Sequence, residues 1–276
     1  MNFPHRAHFL HDCVTDMRAQ LRQLGSDLVV RWGHPERELR LIAELVGART
    51  VHCHSGVTRE EVQLQDRVRN ALHAQSAELR CCWGGTLHAP DELPFKHANV
   101  PATFSAFRAA VAPCTVPRVL SAPANIRRLP AGCPPCGDIP PVEQLCGQQK
   151  QSQQSSVKTP HVARARRGGE TEALRVLADI VSKESRGQRV ASQVTALSPW
   201  LAMGSLSPRR VYHDIRHACQ ARASYQNQGG ESVPQWVSFE LIWRDYFVHS
   251  NAVRARSARD VTQRTQPALT VTSVCA

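Results

Sequence analysis

"WVSFELIWRDYF", residues 236–247, gathers two Trp, two Phe and a Tyr beside three charged residues, in a chain that is only 5% aromatic. At helical spacing one side carries Trp236, Glu240, Trp243 and Phe247, and Arg244 follows Glu240 by four residues. One interpretation is a core helix with an ion pair between Glu240 and Arg244 on its surface. The other is a pocket wall, whose rings stack on a flat aromatic ligand while the carboxylate and the guanidinium orient it. Composition alone leaves both open.

Two earlier stretches carry signals for the start of a helix. "GGETEAL" (168–174) places acidic residues in a first turn, where they favour the positive end of the helix dipole. "TALSPWLAMGSLSPRRVY" (195–212) sets Ser198 and Ser207 directly before prolines, which is typical of helix N-caps. Such starts also bind anions, because their backbone N–H groups are free. Structural caps and an anion site therefore both remain possible interpretations.

Hydrophobic periodicity predicts different architectures for the two halves of the chain. The first half alternates predicted helices with predicted strands, at 8–24, 28–32, 35–45, 50–54, 58–75 and 78–83. This alternation is typical of a parallel sheet in an α/β layer, although no strand precedes the first helix. The second half predicts helices alone, at 170–181, 199–219 and 232–253.

Composition changes divide the chain into four predicted regions. Pro and Cys crowd residues 113–141, and 146–158 are polar and of low complexity, as in a linker. We predict an α/β domain at 1–112 and a Pro/Gln-rich linker at 113–167, which is mobile around 147–167. A helical domain follows at 168–253, and a disordered basic tail at 254–276.

The composition predicts an intracellular globular protein. No apolar run is long enough to span a bilayer, so no membrane association is expected. The first residues lack the apolar core of a secretory signal, and acidic residues come too early for a transit peptide. The net charge of +11 favours polyanionic partners, but Arg scattered through loops gives only weak attraction.

Ten cysteines do not predict a disulfide framework. Cys13, Cys53, Cys81 and Cys219 fall on apolar positions of predicted helices and strands, where reduced Cys behaves as a small hydrophobic residue. The CxxC sequence at 133–136 lacks a second pair of ligands and a preceding strand, so we interpret it as a loop and expect no metal site.

In order, "GGETEAL", "LSPWLAMGSLSPR" and "FELIWRDYF" resemble the photolyase/cryptochrome family, and within it the cryptochrome-DASH branch. "LRCCWGGTLHAPDELPF" (79–95), "ATFSAFRAAV" (102–111) and "GDIPPVEQL" (137–145) are similar to the branch's antenna domain and the loop after it. The resemblance covers most of residues 3–145 and 168–249.

The resemblance implies an α/β antenna domain with an incomplete parallel sheet, followed by a partial all-α FAD-binding domain. It implies a monomeric blue-light flavoprotein that binds single-stranded or looped DNA and splits cyclobutane pyrimidine dimers by electron transfer from FAD. An unpaired strand suits this chemistry, because flipping a lesion out of it requires the least unstacking. A methenyltetrahydrofolate antenna is also implied.

The resemblance assigns site residues by their positions in the motifs. Trp243 matches the aromatic residue on which the lesion stacks, as well as a flavin-pocket position. The resemblance assigns five consecutive residues to the FAD phosphates: Val194, Thr195, Ala196, Leu197 and Ser198. It assigns Glu240, Arg244 and Phe247 to the flavin.

Several positions depart from the family pattern. The opening strand is missing, and the sequence from Ser250 onward looks unrelated to the family. Val194 stands where the first phosphate-site hydroxyl is expected, Ser182 stands near the expected FAD-contacting Tyr, and Gly56 replaces the acidic residue that holds folate. We therefore expect a fragment that lacks the C-terminal half of the FAD domain, with impaired repair and weakened folate binding.

An alternative function is a catalytically inactive remnant that binds nucleic acid or a protein weakly through its charge. An unrelated flavoprotein is disfavoured, because no G-x-G-x-x-G follows any predicted strand.

Overall fold

The computed structural model describes residues 3–145, 166–188, 195–225 and 235–265. Two strands and nine helices lie in these ranges. They are α1 (Phe3–Gln23), α2 (Pro35–Val46), β1 (Thr50–His54), α3 (Arg59–His73), β2 (Glu78–Cys82), α4 (Phe104–Val111), α5 (Val142–Leu145), α6 (Glu170–Ser185), α7 (Ser198–Met203), α8 (Pro208–Tyr225) and α9 (Gln235–Thr265). An α/β part followed by an all-helical part confirms the predicted fold class.

The sheet in the described residues consists of β1 and β2, which pair in parallel. The capping box of Thr58 and Glu61 starts α3, and Gly47 in a left-handed conformation ends α2, as the sequence indicates. Helices α2 and α3 contact each other and enclose a small core with the sheet. The buried members of that core are Ala43, Val68, Leu72, Ala77 and Leu79.

The strand predicted at 28–32 is not formed. Residues 28–31 are half-buried, but the N–H of Val30 donates to the carbonyl of Cys136 at 2.7 Å instead of to a neighbouring strand. The guanidinium of Arg18 joins the same two segments, because it donates to the carbonyls of Leu28, Cys136 and Gly137. β-branched residues favour an extended backbone, but a strand also needs a partner strand for its ladder.

The described part of the predicted linker, 113–145, packs against both halves of the chain. Besides its contact with Val30, it buries Val116 in the helical core, and the ring of His213 lies 2.9 Å from the carbonyl of Pro117. The short helix α5 packs on α1. The segment predicted to be mobile, 147–167, lies almost wholly outside the described residues.

The helical half surrounds a core centred on Trp200, to which α6, α7, α8 and α9 contribute. The single helix predicted at 199–219 is instead two helices, because Gly204 adopts a left-handed conformation and ends α7. Ser198 is also not the N-cap of α7. Leu197 takes that place without a side-chain cap, and Ser198 is the first helical residue.

Helix α9 continues well beyond the predicted end at residue 253. It reaches Thr265, so the first twelve residues of the predicted disordered tail, 254–265, are helical. Ala and Arg favour helix, neither Gly nor Pro occurs before Pro267, and Ala252 and Ala255 are buried. Within the described chain, no helix has the length and apolarity required to cross a membrane.

Carboxylates from α1 cap the start of α6 and so join the two halves. The N–H of Gly168 donates to Asp12 at 3.1 Å, and both the N–H and the hydroxyl of Thr171 donate to Asp16. Burial raises the pKa of Asp16, but hydrogen bonds from Thr171, Gln20 and the backbone of Glu170 together outweigh it and leave the pKa below its usual value. The motif "GGETEAL" is therefore a docking point as well as a helix start.

Candidate functional site

A cleft of about 410 Å³ lies between the start of α7 and one face of α9. Five residues that the sequence assigns to the flavin site line it, together with Val57 from the loop after β1. The five are Ser198, Glu240, Trp243, Arg244 and Phe247. Segments about 40 residues apart in the sequence thus meet at one cavity, whose size is typical of small-molecule sites.

Aromatic rings form the open side of this cleft. Trp243 and Phe247 are 42% and 46% exposed, which is unusual for side chains of this size. Their ring centroids lie 5.4 Å apart, and Phe104 of α4 packs against Trp243 at 4.5 Å from the other side. Because Phe104 fixes its orientation, Trp243 offers a positioned surface for stacking.

The charged residues of the cleft have different roles. Arg244 donates to the carbonyls of Gly85 and Leu201, the second at 2.9 Å, and thereby ties α9 to the loop after β2 and to α7. Burial lowers the pKa of Arg244, while neighbouring Asp245 opposes this effect. The interpretation as a surface ion pair is wrong, since in the described part of the chain Arg244 donates to these two carbonyls and forms no ion pair with Glu240.

The predicted phosphate stretch contributes less to the cleft than the aromatic helix. Thr195–Leu197 form a 3-10 turn, in which Leu197 is fully buried in the helical core and the carbonyl of Ala196 accepts from Arg166. Ser198 is the member of the stretch that lines the cleft. Val194 lies outside the described residues.

A second cleft of about 440 Å³ adjoins the first at the carboxyl ends of β1 and β2. His54, Gly56 and Gly84 line it, and it shares Leu201 and Arg244 with the first cleft. A Cβ atom on Gly56 would lie 2.8 Å from the backbone of Glu61, so this backbone has no room for a side chain there. Parallel sheets commonly bind ligands at this edge.

Comparison with known proteins identifies the relatives of this chain. Residues 2–125 match the DNA photolyase family model. Cryptochrome DASH of Danio rerio is 36% identical over 256 residues, which cover 88% of this chain and 47% of that protein. The chain belongs to the photolyase/cryptochrome family. A second relative, Blue-light photoreceptor PHR2 of Arabidopsis thaliana, is 33% identical to this chain. The match covers 88% of this chain and 57% of PHR2.

Solved structures of other proteins have the same fold as this chain. A cryptochrome of Synechocystis sp. PCC6803 superimposes with a TM-score of 0.70 at 26% identity, over 91% of this chain and 51% of that one. A class III photolyase of Agrobacterium tumefaciens shares the fold, with a TM-score of 0.65 at 20% identity. This photolyase/cryptochrome chain spans about half the length of the curated relatives that it matches.

Sequence reasoning missed a buried carboxyl group behind the cleft. Asp245 of this photolyase/cryptochrome chain accepts the N–H groups of Leu87 and His88, at 2.9 and 3.3 Å. Burial raises the pKa of Asp245 to about 7, against the effects of these hydrogen bonds and of Arg244. Through its two hydrogen bonds, Asp245 joins α9 to the loop after β2 from the helix face opposite Trp243.

A chain of histidines continues this buried face. The ring of His249 lies 3.1 Å from the carbonyl of His88 and 3.0 Å from the ring of His97, and Trp83 stacks on it. Burial lowers the pKa of His249 to about 4, with a further contribution from His97. The spacing of Leu241, Asp245 and His249, four residues apart, was the available signal, because it places all three on one face.

Proposed function

We propose that this chain is a cryptochrome-DASH-like flavoprotein that holds FAD in the cleft between α7 and α9. The family would use it for blue-light photoreception or for light-driven splitting of cyclobutane pyrimidine dimers in single-stranded or looped DNA. The observation that carries the proposal is the convergence of Ser198, Glu240, Trp243, Arg244 and Phe247 on one cavity.

The chemistry of the lining fits a flavin ring. Trp243 and Phe247 supply stacking surfaces, and the carboxylate of Glu240 is available to accept a hydrogen bond from a ring N–H. Arg244 holds the wall in place by its two carbonyl contacts. Ser198 adds a hydroxyl where α7 begins.

When bound and reduced, FAD supplies a light-excited electron to the lesion. The residues of the chain bind, orient and partly shield the reactants. Trp243 stacks on the flipped pyrimidines, and the net charge of +11 attracts the DNA backbone. Because both rings of the cleft are nearly half exposed, water reaches the site, and we expect repair to be impaired.

The test is light-dependent repair of a single-stranded oligonucleotide that carries one pyrimidine dimer. The chain is supplied with excess FAD and a reductant, and loss of the dimer is followed by chromatography with and without blue light. The proposal is supported if repair needs both light and FAD. Repair should also fall at least about tenfold in Trp243→Ala and persist in Trp32→Ala. Trp32 is a suitable control because it is 60% exposed and lies outside the cleft. The same rate in both variants would contradict it.

The adjoining cleft is a candidate for an antenna chromophore. A photolyase of Sulfolobus tokodaii, which shares the fold, contains two FAD molecules, with the implication of a novel light-harvesting cofactor in that protein. For this chain we propose weakened methenyltetrahydrofolate binding at the cleft, since Gly56 offers no acidic side chain. Titration with the folate, read by its absorbance, should give at most weak binding; tight binding would contradict this.

Weak nucleic-acid binding without flavin is the second candidate function. Its support is the net charge of +11 together with the exposed rings of Phe239, Trp243 and Phe247 along one helix. Binding of flavin-free protein to single-stranded DNA should then weaken steeply with salt. No detectable binding at low salt would exclude this function.

A further inference from the structure

Two thiols meet across the parallel sheet. Cys53 of β1 and Cys81 of β2 are direct partners in the register, and their sulfur atoms lie 3.7 Å apart. Side chains alternate along a strand, so both face the core of Val68 and Leu72, whereas Cys82 lies on the opposite face and is exposed.

The backbone geometry allows a bond between these sulfur atoms. Paired strands lie about 4.8 Å apart, which falls within the Cα separation of about 4.4–6.8 Å that disulfides span. The two sulfur atoms have to approach from 3.7 Å to about 2.05 Å. Rotation of the two side chains about their Cα–Cβ bonds supplies this movement without a change of register.

The surroundings give the two thiols different roles. A guanidinium nitrogen of Arg69 donates to the sulfur of Cys81 at 3.7 Å, although the same guanidinium also pairs with Asp66. Burial, and then neighbouring Cys81, raise the pKa of Cys53 to about 11, so that its thiol keeps its proton at neutral pH. Cys53 also lines the cleft at the carboxyl ends of the strands, and this cleft is the route by which we expect a small oxidant to reach the pair.

We propose that Cys53 and Cys81 form a reversible oxidation site, which closes to a disulfide across β1 and β2 when a small disulfide such as oxidised glutathione enters the cleft. The Cys81 thiol gives its proton to water, and its sulfur attacks one sulfur of glutathione disulfide, whose S–S bond breaks and releases one glutathione thiolate. That thiolate takes the proton of Cys53. The sulfur of Cys53 then attacks the mixed disulfide and displaces the second glutathione as a thiolate, which takes a proton from water. Two protein thiols are oxidised and one glutathione disulfide is reduced to two thiols.

Peptide mapping tests this directly on the full chain. The protein is treated with oxidised glutathione, remaining thiols are alkylated, and trypsin is added without reductant. Cys53 then lies in peptide 50–59, which has no other Cys, and Cys81 and Cys82 share peptide 81–96. We expect a linked species of these two peptides that disappears on treatment with dithiothreitol.

Matched variants identify which sulfur takes part. Cys82→Ser, on the exposed face of the same strand, should leave the linked species unchanged, whereas Cys81→Ser should abolish it. Because mapping of the unmodified chain already detects the link, a variant that fails to fold does not prevent the test. Absence of the link in the unmodified chain, or its persistence in Cys81→Ser with loss in Cys82→Ser, would overturn the proposal.

Discussion

The carboxyl group of Asp245 satisfies two buried backbone N–H groups that have no other partner in the described contacts. Asp245→Ala leaves the N–H groups of Leu87 and His88 unpaired, so we expect a loss of about 3 kcal/mol in the free energy of unfolding. Asp245→Asn keeps one acceptor oxygen and should lose about 1 kcal/mol. Urea denaturation measures both, and equal losses would contradict this role of the carboxyl oxygen.

Protonation of His249 should destabilise the fold. Its pKa is about 4 in the folded chain against 6.5 ordinarily, so between these values the unfolded chain binds a proton that the folded chain does not. Stability from this group is therefore lost as pH falls through that window. His249→Phe keeps a ring on Trp83 but cannot titrate.

The measurement compares the free energy of unfolding of the two proteins at two pH values. The penalty of His249→Phe at pH 7 should shrink by roughly 2 kcal/mol at about pH 5, because the unmodified chain weakens over this range. The raised pKa of Asp245 makes the free energy of unfolding fall as pH rises toward 7. Because both proteins contain Asp245, this opposite effect cancels when the unmodified chain is compared with His249→Phe. A penalty independent of pH would contradict the buried neutral state of His249.

Residue spacing predicted which residues share a face, but not what they contact. Glu240 and Arg244 have the spacing of a helical ion pair, yet Arg244 reaches two carbonyls of other segments. Those carbonyls exist as acceptors only after the loop after β2 and α7 have packed. Local sequence therefore indicates the face of the site, while the partners of its charges depend on tertiary structure.

At the scale of elements, the start of α6 depends on its two glycines. Gly169 has φ of 101°, and a Cβ there would lie 2.6 Å from the side chain of Asp16. Gly169→Ala should therefore destabilise the chain by about 3 kcal/mol, through backbone strain and loss of the cap by α1. Gly25→Ala, at φ of 84° with nothing nearby, isolates the strain and should lose about 1 kcal/mol.

Thermal or urea unfolding distinguishes the two glycine positions. Similar losses for Gly169→Ala and Gly25→Ala would mean that the contact between α1 and α6 contributes nothing to stability.

Elements with self-contained signals were predictable from the sequence. The capping box at Thr58 and the strands at 50–54 and 78–82 agree with their patterns, because caps and β propensity act over a few residues. The segment 28–32 has the same propensity but no partner strand, and α9 extends beyond its amphipathic pattern because nothing stops it. Both differences come from information outside the local window.

At the scale of the whole molecule, the order of motifs predicted the two-part fold, but not how the parts join. The joining contacts connect residues far apart in sequence. Asp245 and Leu87 are 158 positions apart, and Arg209 donates to the carbonyl of Leu87 from 122 positions away. No periodicity within a segment indicates such pairs. They nevertheless place the ring-bearing face of α9 beside α7, and so create the cleft.

Flavin binding in this cleft is measured most directly by equilibrium titration of the flavin-free chain with FAD, followed by fluorescence. We expect saturable binding that Trp243→Ala weakens about tenfold, since stacking on one aromatic side chain contributes about 1–3 kcal/mol, while Trp32→Ala leaves it unchanged. Absence of saturable binding, or equal affinities for the two variants, would contradict it.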